Sequence, residues 1–230
     1  MVNIMFSGKV PMTIFKFRAA DQDFEDTWER EYVQELIATL KPGMTVYDVG
    51  AENGETTVLV GKLVGGENVH IFEPNENYFP NIKAIWDANG LSKSANCFCG
   101  YVYDETTGLP VYNDLDYLGI GEIFYECYHA NPKATPLQTI DLDYYCVWFK
   151  PPNVIMMDIE GAELAAVRGA QKLIKEYAPI FFISTHKPEF ILDRSNGTKE
   201  ELIQIFVDNG YNCIHLSTDH EEHWKFIKNE

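Results

Sequence analysis

Short apolar runs alternating with helical segments constrain this chain more than any other feature. Met44–Val49 (MTVYDV) follows Pro42-Gly43 and reads as a short buried strand, and ETTVLVGKLVG continues from it as a helix. Asn68–Glu73 (NVHIFE) is a second strand. NENYFPNIKAIWDANG is a helix that kinks or begins at Pro80 and is closed by Asn89-Gly90. SANCFCG is a third strand. After an irregular stretch the pattern returns with Asn153–Gly161 (NVIMMDIEG) as a strand, AELAAVRGAQKLIKEY as a helix and Pro179–His186 (PIFFISTH) as a strand. TKEELIQIFVDNGY is a helix with Thr198 as N-cap and Glu201 three residues on. Strands separated by helices pair in parallel through right-handed crossovers, which gives a doubly wound α/β sheet with helices on both faces. NCIHLS and HWKFIK, joined by a tight turn, predict an antiparallel hairpin at the sheet edge.

Flanking segments are less regular. IFKFR and the helix FEDTWEREYVQELIATL form an N-terminal extension over residues 1–40 that is placed to cover a pocket. Residues 101–150 are rich in Tyr, Asp, Pro and Gly, with TIDLDYY as a short strand and turn. The aromatic segment Tyr117–His129 in this insert is a candidate cap for an acceptor. The whole reads as one domain.

In doubly wound sheets ligands sit beyond the carboxyl ends of the strands. The loop there is Gly50-x-x-x-Gly54, within TVYDVGAENGETT. It is neither GxGxxG nor GxxxxGK[ST], so a pyrophosphate at a helix N-terminus is disfavoured. Asp48 would repel a pyrophosphate and suits a ligand carrying an ammonium group. Glu73, at the end of the second strand, can accept both hydroxyls of a ribose. Together these favour a nucleoside with an amino-acid-like appendage, S-adenosylmethionine.

VYDVGAENGETT, IFEPNENYFPNIKA, TIDLD and VIMMDIEGAELAAVRGAQKLI resemble, in order and spacing, the FkbM-type S-adenosylmethionine-dependent methyltransferases over about residues 15–228. FEP and D-x-EGAE are the most specific parts. The family loop reads DVGANxG; here an acid stands at Glu52 ahead of Asn53. The resemblance implies the class I methyltransferase fold, a Rossmann-like, mostly parallel sheet of seven strands with the last antiparallel. It implies that Asp48, Gly50, Ala51, Asn53 and Gly54 surround the methionine part of the cofactor, Glu73 the ribose, and Gly100 and Tyr101 the adenine.

Methyl transfer to a hydroxyl needs a base, or a metal that lowers the hydroxyl's pKa. Asp158, Glu160 and His186 fall at adjacent strand ends. Asp158 or His186 is the candidate general base; the alternative, that Asp158, Glu160 and His186 hold a divalent metal, is not expected. Glu163 reads as a helix N-terminal charge, His70 as packing within a strand, and DHEEH (Asp219–His223) as an exposed hairpin turn. The expected acceptor is a hydroxyl on a small molecule or glycan. Two other readings are a noncatalytic S-adenosylmethionine-binding protein and an NAD(P)-dependent oxidoreductase. The second is disfavoured by the broken GxGxxG and the lack of a Tyr-x-x-x-Lys pair after the fourth strand.

A net charge of −17 argues against nucleic acid and anionic membrane partners. No apolar run approaches a span of ~20 residues, and the start, interrupted by Gly8, Lys9 and Pro11, does not read as a secretory leader. The five cysteines, Cys97, Cys99, Cys127, Cys146 and Cys213, form no CxxC pair and read as free thiols in a reducing cytoplasm. The sequon at Asn196 then carries no function. Oligomeric state is not encoded in any of these patterns.

Overall fold

The computed structural model describes residues 1–91, 95–107, 113–123 and 138–229. The chain opens with a hairpin that sequence patterning did not anticipate, β1 (Val2–Phe6) and β2 (Val10–Ile14). Ser7 and Gly8 both take positive φ, 48° and 64°, the mirror-image turn that suits the twist of paired strands. Val10, Met12 and Ile14 point one way and are buried, which anchors the hairpin on the main core. Helices α1 (Lys16–Asp21) and α2 (Arg30–Thr39) follow. α2 is shorter than the 24–40 helix expected, because residues 24–28 form turns in which Phe24 and Trp28 pack on Phe6.

The alternating core then runs β3 (Val46–Val49), α3 (Glu55–Val64), β4 (Val69–Phe72), α4 (Tyr78–Ala88) and β5 (Asn96–Phe98). Pro80 sits in the first turn of α4, where its missing N–H costs no helical bond, so the helix is not broken there. Short strands β6 (Tyr101–Val102) and β8 (Thr139–Ile140) pair with each other. β7 (Asn113–Asp114) and α5 (Leu115–Leu118) lie between them in sequence. Residues 124–129 of the expected aromatic cap, with Cys127 and His129, lie outside the described residues.

Two expectations change in the second half. TIDLDYY begins as the expected strand, β8, but continues into α6 (Leu142–Trp148) in place of a turn, because the Asp141 carboxylate accepts from Tyr144 N and caps a helix. After β9 (Val154–Met157), the helix expected through Tyr177 stops as α7 (Glu163–Arg168) and resumes as a wider turn at Leu173–Tyr177. The Asp143 carboxylate forces the restart by accepting from the backbone N–H groups of Lys172 (2.7 Å) and Leu173 (2.8 Å). The chain ends with β10 (Ile180–Thr185), α8 (Pro188–Ser195), α9 (Lys199–Asp208), β11 (Tyr211–Thr218) and β12 (Glu222–Lys228). Thr198 caps α9 as expected.

The sheet order is β11-β12-β10-β9-β3-β4-β5-β7. β5, β4, β3, β9 and β10 are mutually parallel, and β12 enters antiparallel between β10 and β11. The closing hairpin therefore forms one edge, as expected, with its second strand on the inside. The two-residue β7 adds a short antiparallel margin at the other edge. Alternation along each strand divides the core. Val46, Met156 and Phe182 face the layer of α2, α3, α4 and the N-terminal hairpin, while Tyr47, Ile155 and Phe181 face α6, α7 and α9. Burial of residues such as Phe79, Leu59 and Phe206 stabilises each layer by ~1.5–3 kcal/mol apiece. No described helix is long and apolar enough to cross a membrane.

Candidate cofactor cleft and carboxylate cluster

Register sets the site. Val49 pairs with both Phe72 and Met157, so the residues after them, Gly50, Glu73 and Asp158, leave the sheet at one level. The ladder continues one step into the loops: Gly50 N–H donates to Phe72 O (2.8 Å) and Asp158 N–H to Val49 O (2.9 Å). Gly50 has φ +95°, and a Cβ there would lie 1.8 Å from the Asp158 carbonyl oxygen. Only glycine permits the two strand ends to approach this closely. Gly54 (φ +88°) starts α3 with the Ile82 side chain 2.8 Å from where its Cβ would be, which seats α3 against α4.

The loop between these glycines is tied to Glu73. Glu52, in a left-handed conformation (φ 48°), donates its backbone N–H to Glu73 Oε2 (2.9 Å), and Asn75 N–H donates to Glu73 Oε1 (2.8 Å). Burial raises the Glu73 carboxyl to about 7 despite these two donors. Asn53 is fully buried, and its Oδ1 accepts from Asn81 Nδ2 (2.7 Å). Ala51 is buried beside it. Asp48 lies below the loop, where its Oδ2 accepts from Thr57 Oγ1 (2.5 Å). Burial lifts it to about 6, with the Thr57 bond opposing. The departure from the family loop, Glu52, has a partner: Arg18 of α1 reaches it (3.2 Å) and also binds Glu55 (3.0 Å). The N-terminal extension thus clamps the glycine loop.

Gly100 and Tyr101 are less convergent. Gly100 packs on the Phe98 ring and Gln138 O, and Tyr101 is 42% exposed at the start of β6.

The second group of candidates gathers more tightly than their spacing suggested. His186, just past β10, is buried, and its Nδ1 lies 2.9 Å from Glu163 Oε1. Glu163 is 0% exposed, and the same oxygen accepts from Ile159 N (3.2 Å) and Gly161 N (3.0 Å). Glu163 is therefore more than a helix N-terminal charge. It holds the Ile159–Gly161 turn and fixes the imidazole. Around His186 Nε2 stand Glu221 Oε1 at 2.9 Å, Asp158 Oδ1 at 3.6 Å and Glu160 Oε2 at 3.6 Å. The Glu221 contact is out of line with a ring N–H, so it is an ion contact rather than a hydrogen bond. Loss of solvent lowers the imidazole pKa. The Glu163 and Glu221 carboxylates outweigh that, and the net is a rise to about 11. Asp158 is pushed up, first by loss of solvent and then by Glu221.

Glu221 was missed from sequence. It lies in DHEEH, which is not an exposed turn throughout: Glu221 is 14% exposed and His223 is fully buried, its Nδ1 2.9 Å from Ser184 Oγ. The usable signal was register. Thr185 pairs with Glu222, so one step further places His186 opposite Glu221. Glu29, in a left-handed conformation, adds another buried carboxylate, raised by burial and then by Glu221 to about 8. His70 is a packing residue, as expected, 2.8 Å from Tyr145 OH. Cys97, Cys99, Cys146 and Cys213 are free.

A doubly wound, mostly parallel sheet with β12 antiparallel near one edge and a glycine loop at the end of β3 is the class I methyltransferase arrangement. Residues 48–213 match the Methyltransferase FkbM domain, and the chain belongs to that family. Among solved structures, it resembles a methyltransferase FkbM from Methylobacillus flagellatus (22% identity, TM-score 0.51), covering 80% of this chain and 43% of that one. It also resembles a precorrin-6y C5,15-methyltransferase from Geobacter metallireducens (9% identity, TM-score 0.51), covering 95% and 94% respectively. A third is a SAM-dependent O-methyltransferase from Thermotoga maritima (8% identity, TM-score 0.52), covering 92% and 69%. At these identities the likeness is one of fold, and the chain spans less than half the length of the first. No curated protein sequence matches it.

Proposed function

We propose that this protein transfers a methyl group from S-adenosylmethionine to a hydroxyl of a small molecule or glycan. The observation that carries the reading is the charge of the cleft. Glu52, Glu73, Asp158, Glu160 and Glu221 converge on the carboxyl edge of the sheet, and Arg18, the cation beside the loop, is already engaged by Glu52 and Glu55. Such an edge favours a sulfonium cation and repels the pyrophosphate of NAD(P). The residues also fit the group. Gly50 lets the ends of β3 and β9 close together under the loop, and Gly50, Ala51, Asn53 and Gly54 would hold the methionine part. Glu73 would accept the ribose hydroxyls through lone pairs its two backbone donors leave free.

The cofactor supplies the electrophilic methyl; the chain's work is to position the acceptor and remove its proton. Between the two candidate bases, Asp158 fits better. With no metal ion in the cluster, His186 is held protonated by Glu163 and Glu221, so it has no lone pair with which to take the acceptor's proton. Asp158 has a half-exposed side chain, and its raised pKa makes it a stronger base than an ordinary carboxylate. His186 would then fix the Asp158 carboxylate and, after proton transfer, stabilise the remaining negative charge of the cluster.

Calorimetric titration with S-adenosylmethionine and, separately, with NAD tests the cofactor; absence of binding by the former at submillimolar concentration refutes the reading. Release of S-adenosylhomocysteine across a panel of sugars and phenols then tests the acceptor class. Transfer to none of them would overturn that part alone.

A further inference from the structure

The geometry points to a divalent transition-metal site formed by Asp158, His186 and Glu221. Ligand atoms of these three residues lie within 4.8 Å of one another. The distances from His186 Nε2, 2.9 Å to Glu221 Oε1 and 3.6 Å to Asp158 Oδ1, fall where metal ligands fall. Two donors each ~2.1 Å from one ion are about 3.0 Å apart at right angles and about 4.2 Å apart when opposite. Acidic crowding alone would not identify a site, but the imidazole supplies a second observation. Its side chain is 5% exposed, it is aimed into the cluster, and among the described residues its Nε2 has no hydrogen-bond partner. Glu221 Oε2, also buried, has none either.

The surroundings of His186 match those of a metal ligand. Nδ1 is bound to Glu163, itself fixed by the N–H groups of Ile159 and Gly161. A carboxylate behind the imidazole sets the tautomer that turns the Nε2 lone pair toward a metal. Glu163 thus takes the orienting role, and Glu160, 66% exposed at 3.6 Å from Nε2, flanks the site on its open side. The sequence-based set of Asp158, Glu160 and His186 is therefore replaced by one in which Glu221 stands closest to the imidazole. One imidazole with two carboxylates favours Mn2+ or Fe2+ over Mg2+, which prefers an all-oxygen shell. Three protein ligands, one of them the half-exposed Asp158, leave positions for water or an acceptor oxygen. The proposal rests on this geometry and not on the methyl-transfer reading. If both hold, the ion offers the acceptor hydroxyl a Lewis-acidic seat.

The test is titration of Mn2+ into chelator-stripped full-length protein, without S-adenosylmethionine or acceptor, followed by calorimetry and pulsed electron paramagnetic resonance. One equivalent should bind, with nitrogen hyperfine modulation from the imidazole, and should raise the melting temperature. Glu221→Gln and Asp158→Asn, which remove a like charge and keep shape, should each weaken binding at least tenfold while circular dichroism stays native. His186→Gln should abolish the nitrogen signal. Overturning results are the absence of a stoichiometric site, Mn2+ bound with no nitrogen coupling, or weak binding of several equivalents unchanged by Glu221→Gln, the mark of diffuse attraction to an acidic surface. Because cofactor binding is measured separately, failure here leaves the methyltransferase reading standing, and the reverse.

Discussion

Replacing Glu73 by glutamine separates the stability of the protein from its proposed cofactor affinity. Glu73 is 5% exposed, and its carboxyl is held at about 7 against an ordinary 4.5, chiefly by burial. A group whose folded pKa lies above its unfolded one binds more protons when folded. Its contribution to stability is complete below the unfolded value and is lost as pH rises through the folded one. Between about pH 5 and about pH 8.5 that linkage amounts to roughly 2.5 kcal/mol, or about 5–10 °C in melting temperature for a chain of this size. The amide does not titrate, so Glu73→Gln should lose this slope. It also presents one oxygen to the two N–H groups of Glu52 and Asn75, which costs about 1–3 kcal/mol at every pH. The readout is therefore the difference in slope, measured by urea denaturation of both proteins at several pH values. Asp48, raised to about 6, contributes a smaller slope of the same sign to both and cancels. The variant should also bind S-adenosylmethionine at least tenfold more weakly, since two charge-assisted bonds to the ribose are lost. Parallel pH profiles for the two proteins would refute the burial account of Glu73. Undiminished cofactor affinity would refute its ribose role.

Gly50→Ala should cost more than about 3 kcal/mol in denaturant unfolding and remove cofactor binding, because the new Cβ meets the Asp158 carbonyl at 1.8 Å and φ is +95°; near-normal stability would show that the strand ends can part. Arg18→Met leaves Glu55 buried without its cation, so stability should fall by about 3–5 kcal/mol, and the Glu52 loop should show faster amide exchange. A change below about 1 kcal/mol would mean that the N-terminal extension does not clamp the loop. Asp158→Asn should lower kcat about 10²–10⁴-fold with cofactor affinity within a few-fold of wild type. His186→Ala tests the same assignment, and near-normal turnover in both variants would remove the cluster from catalysis.

The sheet was legible because each parallel strand is buried on both faces and so appears as a continuous apolar run, as in VIMM at Val154–Met157. Their parallel direction followed from the helices between the runs. The N-terminal hairpin was not legible in the same way. Its strands alternate, Val2, Ile4 and Phe6 and then Val10, Met12 and Ile14, and Gly8 and Pro11 break the apolar pattern that a buried strand would show. The interruption after Arg168 was hidden for another reason. The period of apolar residues carries on through Leu173 and Ile174, and the carboxylate that restarts the turn comes from Asp143 on a different helix.

The glycine loop could be read from a local pattern because its roles are local: a tight turn, a close approach and an acid at the next strand end. The carboxylate cluster could not, since its closest pair comes from residues on different strands. Asp158 and His186 were recoverable as strand ends, but Glu221 meets His186 only through the antiparallel register that pairs Thr185 with Glu222. That register depends on β12 entering between β10 and β11, a step the closing hairpin takes in space and not in sequence. The same insertion explains why DHEEH divides in two. Asp219 and His220 stay at the tip, while Glu221 and His223 are drawn inward beside His186 and Ser184. A turn that would be solvated on a free hairpin thus becomes a wall of the site. That wall holds the Glu221 carboxylate 2.9 Å from the imidazole, the pair on which the proposed metal site rests.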